Sequence, residues 1–125
     1  MTKRVEVEGL GGLLKVKPLS VNKCWLGRRR KTADYRRYEE EVGKLLRGSH
    51  LCWPKGRLTL SLTFGFSSDA SDIDNPVKPI QDILQKALAF NDKRIYRLVV
   101  TKVLVNKGSE FISYLLEPYI EEDQC

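Results

Sequence analysis

The sequence predicts an α+β domain, a mostly antiparallel or mixed sheet packed against two helices in the order β-β-α-β-α-β-β. Three observations carry this. The segment Arg57–Phe66 alternates strictly between apolar and polar residues, as a strand with one buried face does. Two other segments place apolar residues three and four positions apart, the helical period. The stretches near both ends alternate again, and the last two are separated by Asn106-Lys107-Gly108, a turn signal between strands.

Taken in order, Val5 and Val7 alternate with Arg4, Glu6 and Glu8 in a first strand. Gly9, Gly11 and Gly12 read as its turn, and Leu13–Lys17 as a second strand paired with the first and stopped by Pro18. Leu19 to Lys31 is a polar loop of thirteen residues. Loops of this length inside a compact domain are uncommon and often functional. Thr32 is placed to cap a helix over Ala33–Arg47, with Tyr35, Tyr38, Val42, Leu45 and Leu46 facing inward and Gly48 closing it. Its opposite face carries Arg36, Arg37, Glu39, Glu40 and Lys44 and is read as exposed. Ser49–Gly56 is a loop containing His50, Trp53 and Pro54.

The strand that follows puts Leu58, Leu60, Leu62, Phe64 and Phe66 on one face, and Ser67–Ser71 forms a loop. A second helix runs to about Phe90, burying Val77, Ile80, Leu84, Ala87 and Leu88. Pro76 suits a first turn, whereas Pro79 implies a distorted start or a later one. Tyr96–Val105 and Glu110–Glu117 then read as a hairpin.

A chain of 125 residues suits one domain, 1–125. At 42% hydrophobic and 30% charged it is an ordinary globule and not a disordered tail. No apolar run approaches the ~20 residues that span a bilayer, so no membrane span is expected. Cys24, Cys52 and Cys125 lack the spacing of a zinc site or disulfide framework, and reduced thiols in a cytoplasmic protein are the expectation. The single histidine excludes chemistry that needs two. Acid, base or metal-ligating groups must then come mostly from carboxylates and lysine.

Charge is unevenly divided. Residues 1–60 hold 15 Lys and Arg against 6 Asp and Glu, while residues 61–125 hold 7 against 10, so the net +6 is a +9 half joined to a −3 half. A basic half of this density favours a polyanion partner through counterion release; a plain solvated surface has the same composition.

The acidic half holds the candidate chemistry. Asp72, Asp74, Asn75 and Lys78 stand at the junction of strand and helix, and Asp92 lies just past that helix. Asp72 and Asp74 point to one side if their loop is extended. Clustered carboxylates repel unless a cation neutralises them, and an oxygen-only site prefers Mg²⁺ or Mn²⁺. Lys78 could neutralise a phosphate oxygen or orient a nucleophile. The plainer reading makes Asp72 and Asp74 helix caps and Lys78–Asp82 a surface ion pair. A straight helix separates Asp92 from the junction by about 20 Å. It joins the cluster only if the following segment folds back, or else across a dimer interface. His50 reads as a surface residue, Tyr35 and Tyr38 as core, and Trp25 as either a base-stacking or a packing residue.

At this junction the sequence resembles the RusA family of Holliday-junction resolvases. Asp72-Ile-Asp-Asn-Pro-Val-Lys78, with Asp82 and the later Asp92, is similar to that family's D-x-D-N-x-x-K-x-x-x-D-x-L segment and its downstream aspartate. Pro18-Leu-Ser-Val-Asn22 is similar to its N-terminal P-x-S-x-N loop. The resemblance implies a homodimeric, Mg²⁺-dependent endonuclease that binds four-way DNA junctions and cuts two strands symmetrically, in a bacterial or phage setting. It implies that Asp72, Asp74 and Asp92 are metal-binding and catalytic, that Lys78 is the catalytic lysine and that Asp82 is structural. Ser20, Asn22 and Lys23 fall on the DNA-contacting loop. Relatives can carry arginines directly before D-x-D-N, where this chain has Ser68-Asp69-Ala70-Ser71; the corresponding contacts are expected from Arg28, Arg29, Arg30 and Lys31. Two other functions compete with junction resolution: a non-catalytic nucleic-acid-binding module, and a metal-dependent nuclease acting on flaps or other branched DNA.

Overall fold

The computed structural model describes residues 9–49, 51 and 55–121. The first predicted strand at residues 4–8, together with His50, Cys52, Trp53, Pro54 and Cys125, lies outside them. The described chain forms β1 (Leu10–Leu14), β2 (Trp25–Leu26), β3 (Arg30–Lys31), α1 (Ala33–Leu45), β4 (Leu58–Phe66), α2 (Val77–Ala87), β5 (Ile95–Leu104) and β6 (Phe111–Pro118). This is the expected α+β class, two helices on a mixed sheet.

β4 is the centre of the sheet. Leu58, Leu60, Leu62 and Phe64 line one face at no more than 1% exposure. Against that face pack Tyr35, Val42 and Leu46 from the α1 region and Ile80, Leu84 and Leu88 from the α2 region. A buried strand must also satisfy its backbone on both edges. β5 pairs with it in parallel, β6 pairs antiparallel on the other side, and β1 adds to the far edge of β6, giving the order β1-β6-β4-β5. The parallel pair requires a crossover, and α2 supplies it.

Three expectations change. β5 and β6 are not a hairpin: they flank β4, and the turn containing Gly108 (φ +96°) begins the passage from one side of β4 to the other. The turn signal was real, but β4, the most apolar strand, takes both as partners. Gly11 and Gly12 belong to β1 and do not form a turn; a Cβ on Gly11 would sit 2.6 Å from the Tyr114 carbonyl oxygen of β6. Close strand approach, not chain reversal, explains those glycines. The loop from Leu19 is partly ordered, by a 3₁₀ turn at Val21–Lys23 and by the two-residue strands β2 and β3. A smaller change concerns Leu45, which is 51% exposed while Leu46 is buried.

The end of α2 determines where Asp92 goes. Leu88 is the C-cap, Ala89 takes the left-handed conformation (φ +62°), and the Phe90 N–H donates to the Gln85 carbonyl at 3.0 Å. This six-to-one bond is the Schellman closure, which normally uses glycine at the left-handed position. Alanine there carries local strain. Ala89→Gly should therefore raise stability by about 0.5–1 kcal/mol in urea unfolding, and an unchanged or lowered midpoint would contradict the strain.

Candidate active site

The N-terminal loop is tied to both helices by short polar bonds. Ser20 Oγ accepts from the Asn22 N–H at 3.1 Å, closing the 3₁₀ turn. Thr32 Oγ1 donates to the Lys23 carbonyl at 2.6 Å and accepts from the Tyr35 N–H at 3.1 Å, so one hydroxyl caps α1 and holds the loop. The Val21 N–H donates to the Asn75 carbonyl at 2.8 Å, setting the Ser20–Lys23 segment beside the D-x-D-N turn.

At that turn, residues 73–76 fold rather than extend, so Asp72 and Asp74 diverge. Asp72 opens onto a cleft shared with Ser20, Lys23 and Asn75, and its Oδ2 accepts from the Asn75 side-chain amide at 3.4 Å. Asp74 opens with Lys78 onto a second, mostly apolar groove against Leu98 and Val100 of β5. Neither aspartate caps α2: its N-cap residue is Pro76, with no side-chain hydrogen bond to the helix. Both are exposed, and no ion pair engages either among the described residues.

Asp92 returns within its own chain. Its backbone N–H donates to Gln85 Oε1 at 2.8 Å, and its carboxylate lies 3.7 Å from Lys78 Nζ. Lys78 also pairs with Asp82 at 2.9 Å, one helical turn along. The ammonium thus stands between two carboxylates. The hydrogen bond that Lys78 donates to Asp82 outweighs the opposing effect of burial and, with the charges of Asp82 and Asp92, holds the Lys78 amine above its ordinary 10.5. A lysine acting as a base needs the opposite shift, so Lys78 is suited to act as a fixed positive charge.

The three predicted ligands Asp72, Asp74 and Asp92 offer hard oxygen donors, which suit a divalent cation of the Mg²⁺ or Mn²⁺ type. Among the described residues no three His, Cys, Asp or Glu side chains are grouped closely enough to hold a metal ion. The single chain brings Asp92 to Lys78 and Asp82 and leaves Asp72 and Asp74 on separate hollows. Cys24 is buried, and burial pushes its thiol up to about 11, away from thiolate chemistry.

The basic run divides. Arg28, Arg29 and Arg30 are exposed at the β2–β3 turn. Lys31 is held by Glu39 at 2.8 Å and lies over the Tyr35 ring at 5.4 Å, a structural position. Trp25 stacks edge-on against Tyr35 at 5.6 Å, so it packs on α1.

Two supports escaped the sequence reading. Gln85 holds the Asp92 backbone, and a glutamine inside an amphipathic helix carries no signal of that role. Lys102 donates to the carbonyls of Asp69 (2.9 Å) and Ser71, pinning the loop that leads into Asp72. Its signal was a lysine in register with Leu98, Val100 and Leu104 on one face of β5.

The protein-family model described as Endodeoxyribonuclease RusA matches residues 17–112, a span that includes every candidate residue above. No curated protein matches the chain.

The ion pairs make a direct prediction. Followed by NMR, the Lys78 ε-ammonium should titrate above 10.5, and Asp82→Asn should lower that value more than Asp92→Asn, because the Asp82 hydrogen bond is the largest contribution. The reverse order would mean that Asp92 is its dominant partner.

Proposed function

Because the chain belongs to the RusA endodeoxyribonuclease family, we propose that it resolves four-way DNA junctions by paired symmetric nicks, acting as a homodimer with a divalent metal, Mg²⁺ or alternatively Mn²⁺. One observation carries the catalytic reading over a purely binding one. α2 begins without a side-chain cap while Asp72 and Asp74 stand exposed beside it, so the plain structural use of these aspartates is not taken up.

In this reading Asp72, Asp74 and Asp92, which the single chain leaves apart, would have to draw together on DNA binding to hold the ion. Such an ion would supply polarisation of the phosphodiester and a lowered pKa for an attacking water. Lys78, charged at any neutral pH, would stabilise negative charge on the phosphate as its bonds rearrange. Gln85 fixes the backbone from which Asp92 projects, and Lys102 fixes the approach to Asp72. Ser20, Asn22 and Lys23 would position DNA beside Asp72, and Arg28, Arg29 and Arg30 would follow the backbone of a junction arm. One chain offers one such set of residues, and symmetric cutting of two strands calls for two chains. Among the described residues no helix is long and apolar enough to cross a membrane; a cytoplasmic role, in a bacterium or for a phage, fits DNA as the substrate. A nuclease acting on flaps would use the same residues, and comparing four-way, three-way and linear substrates separates the two.

Asp72→Asn should keep junction affinity within about threefold and reduce cleavage in Mg²⁺ by about a hundredfold or more, the scale of losing a transition-state electrostatic contact; undiminished cutting would remove Asp72 from the site. Replacing Arg28, Arg29 and Arg30 together by alanine should weaken binding and reduce the salt slope by about 2–3, close to one unit per phosphate contact. Lys31→Ala should leave that slope nearly unchanged, and an equal effect of both would mean that Lys31 leaves Glu39 to reach DNA.

A further inference from the structure

The cleft beside Asp72 is far larger than a metal ion needs. Its volume is about 580 Å³, within the range of pockets that enclose whole organic ligands. Beneath it lie Tyr38, Phe66 and Pro76, all buried, and its accessible apolar wall is Leu19 and Ala70. Hydroxyls of Ser20, Ser68 and Ser71 stand around it.

Its charges decide which part of a nucleotide can enter. The carboxylates of Asp34, Glu41, Asp72 and Glu110 outnumber the cations of Lys17, Lys23 and Arg37. Arg37 is already paired with Asp34. Glu110 accepts from the Ser67 hydroxyl at 2.8 Å and the Gly108 N–H at 2.9 Å, bonds that hold its carboxyl below the ordinary range. Glu41 is left exposed on the rim as an acceptor without an ion-pair partner among the described residues. With Arg37 paired to Asp34 and Lys17 acting on Glu110, this lining carries little net charge to draw in a phosphate and suits a flat, neutral group that carries hydrogen-bond donors.

Resting on the junction-nuclease reading, we propose that this cleft receives one unstacked nucleobase next to the scissile phosphate, with a preference for bases bearing an exocyclic amine. The ring would lie against Leu19 and Ala70 on the cleft wall, its amine would donate to Glu41 or the serine hydroxyls, and its phosphate would remain outside near Lys23. Extruding a base costs a few kcal/mol and least where stacking is already interrupted, as it is at the crossover of a junction. The cleft thereby fixes which phosphate lies beside Asp72.

The test uses four-way junctions with 2-aminopurine, itself an amine-bearing base, placed in turn at each position flanking the crossover. They are bound by the full chain in EDTA so that no cutting occurs. Fluorescence should rise severalfold at one position, as unstacking produces. Ala70→Leu, which fills the rim, should abolish that rise while junction affinity stays within about threefold, as expected where phosphate contacts dominate affinity. Glu41→Gln should reduce it. Absence of a rise at every position, or a rise untouched by both variants, overturns the nucleobase pocket while leaving junction cleavage standing. Failure of the unmodified chain to bind or cut four-way junctions overturns both.

Discussion

Burial of β4 is the constraint from which the rest of the arrangement follows. A strand with Leu58, Leu60, Leu62 and Phe64 on one face, at no more than 1% exposure, needs helices over that face and backbone partners on both edges. The two edges are met differently, by β5 in parallel and by β6 in reverse. A parallel neighbour demands a crossover, so α2 must span the sheet. That leaves the D-x-D-N turn at the C-terminal end of β4, where α2 begins, and brings the chain back through Ala89 toward Asp92. The candidate chemistry sits where the crossover enters and leaves.

Polar bonds then convert this scaffold into a defined site. Thr32 joins α1 to the Ser20–Lys23 segment, and Val21 joins that segment to Asn75. Lys102 reaches from the edge strand to the loop before Asp72. The Val21 and Lys102 bonds link segments distant along the chain, so the Ser20–Lys23 segment and the acid-bearing loop hold a common frame. A site built this way is more rigid than loops of its length would otherwise be.

The dipolar charge of the chain also acquires a physical location. The exposed arginines of the β2–β3 turn belong to the basic half, while the aspartates and Lys78 belong to the acidic one. Lys78 is the cation inside the acidic group, and its two partners keep it charged. Among the described residues no ion pair joins Arg28, Arg29 or Arg30 to Asp72, Asp74 or Asp92, so the two groups of charge stay separate.

Local pattern was enough for much of this. The alternation from Leu58 to Phe66, the three-and-four spacing of Tyr35, Tyr38 and Val42, and the cap at Thr32 were legible because strand and helix periods are written into consecutive residues. The D-x-D-N-x-x-K segment was legible for the same reason, since its members lie within one turn and one helix start. Strand neighbours were not: β5 and β6 carry a turn signal between them, yet both pair with β4, because competition for a buried edge is settled by the whole sheet. Nor were the strand role of Gly11, the divergence of Asp72 from Asp74, or the return of Asp92 to Lys78. Those depend on contacts between segments far apart in sequence, which only the packed chain brings within reach. The residue types and periods by themselves determined the class of fold and the chemistry on offer, and the tertiary structure decided which groups meet.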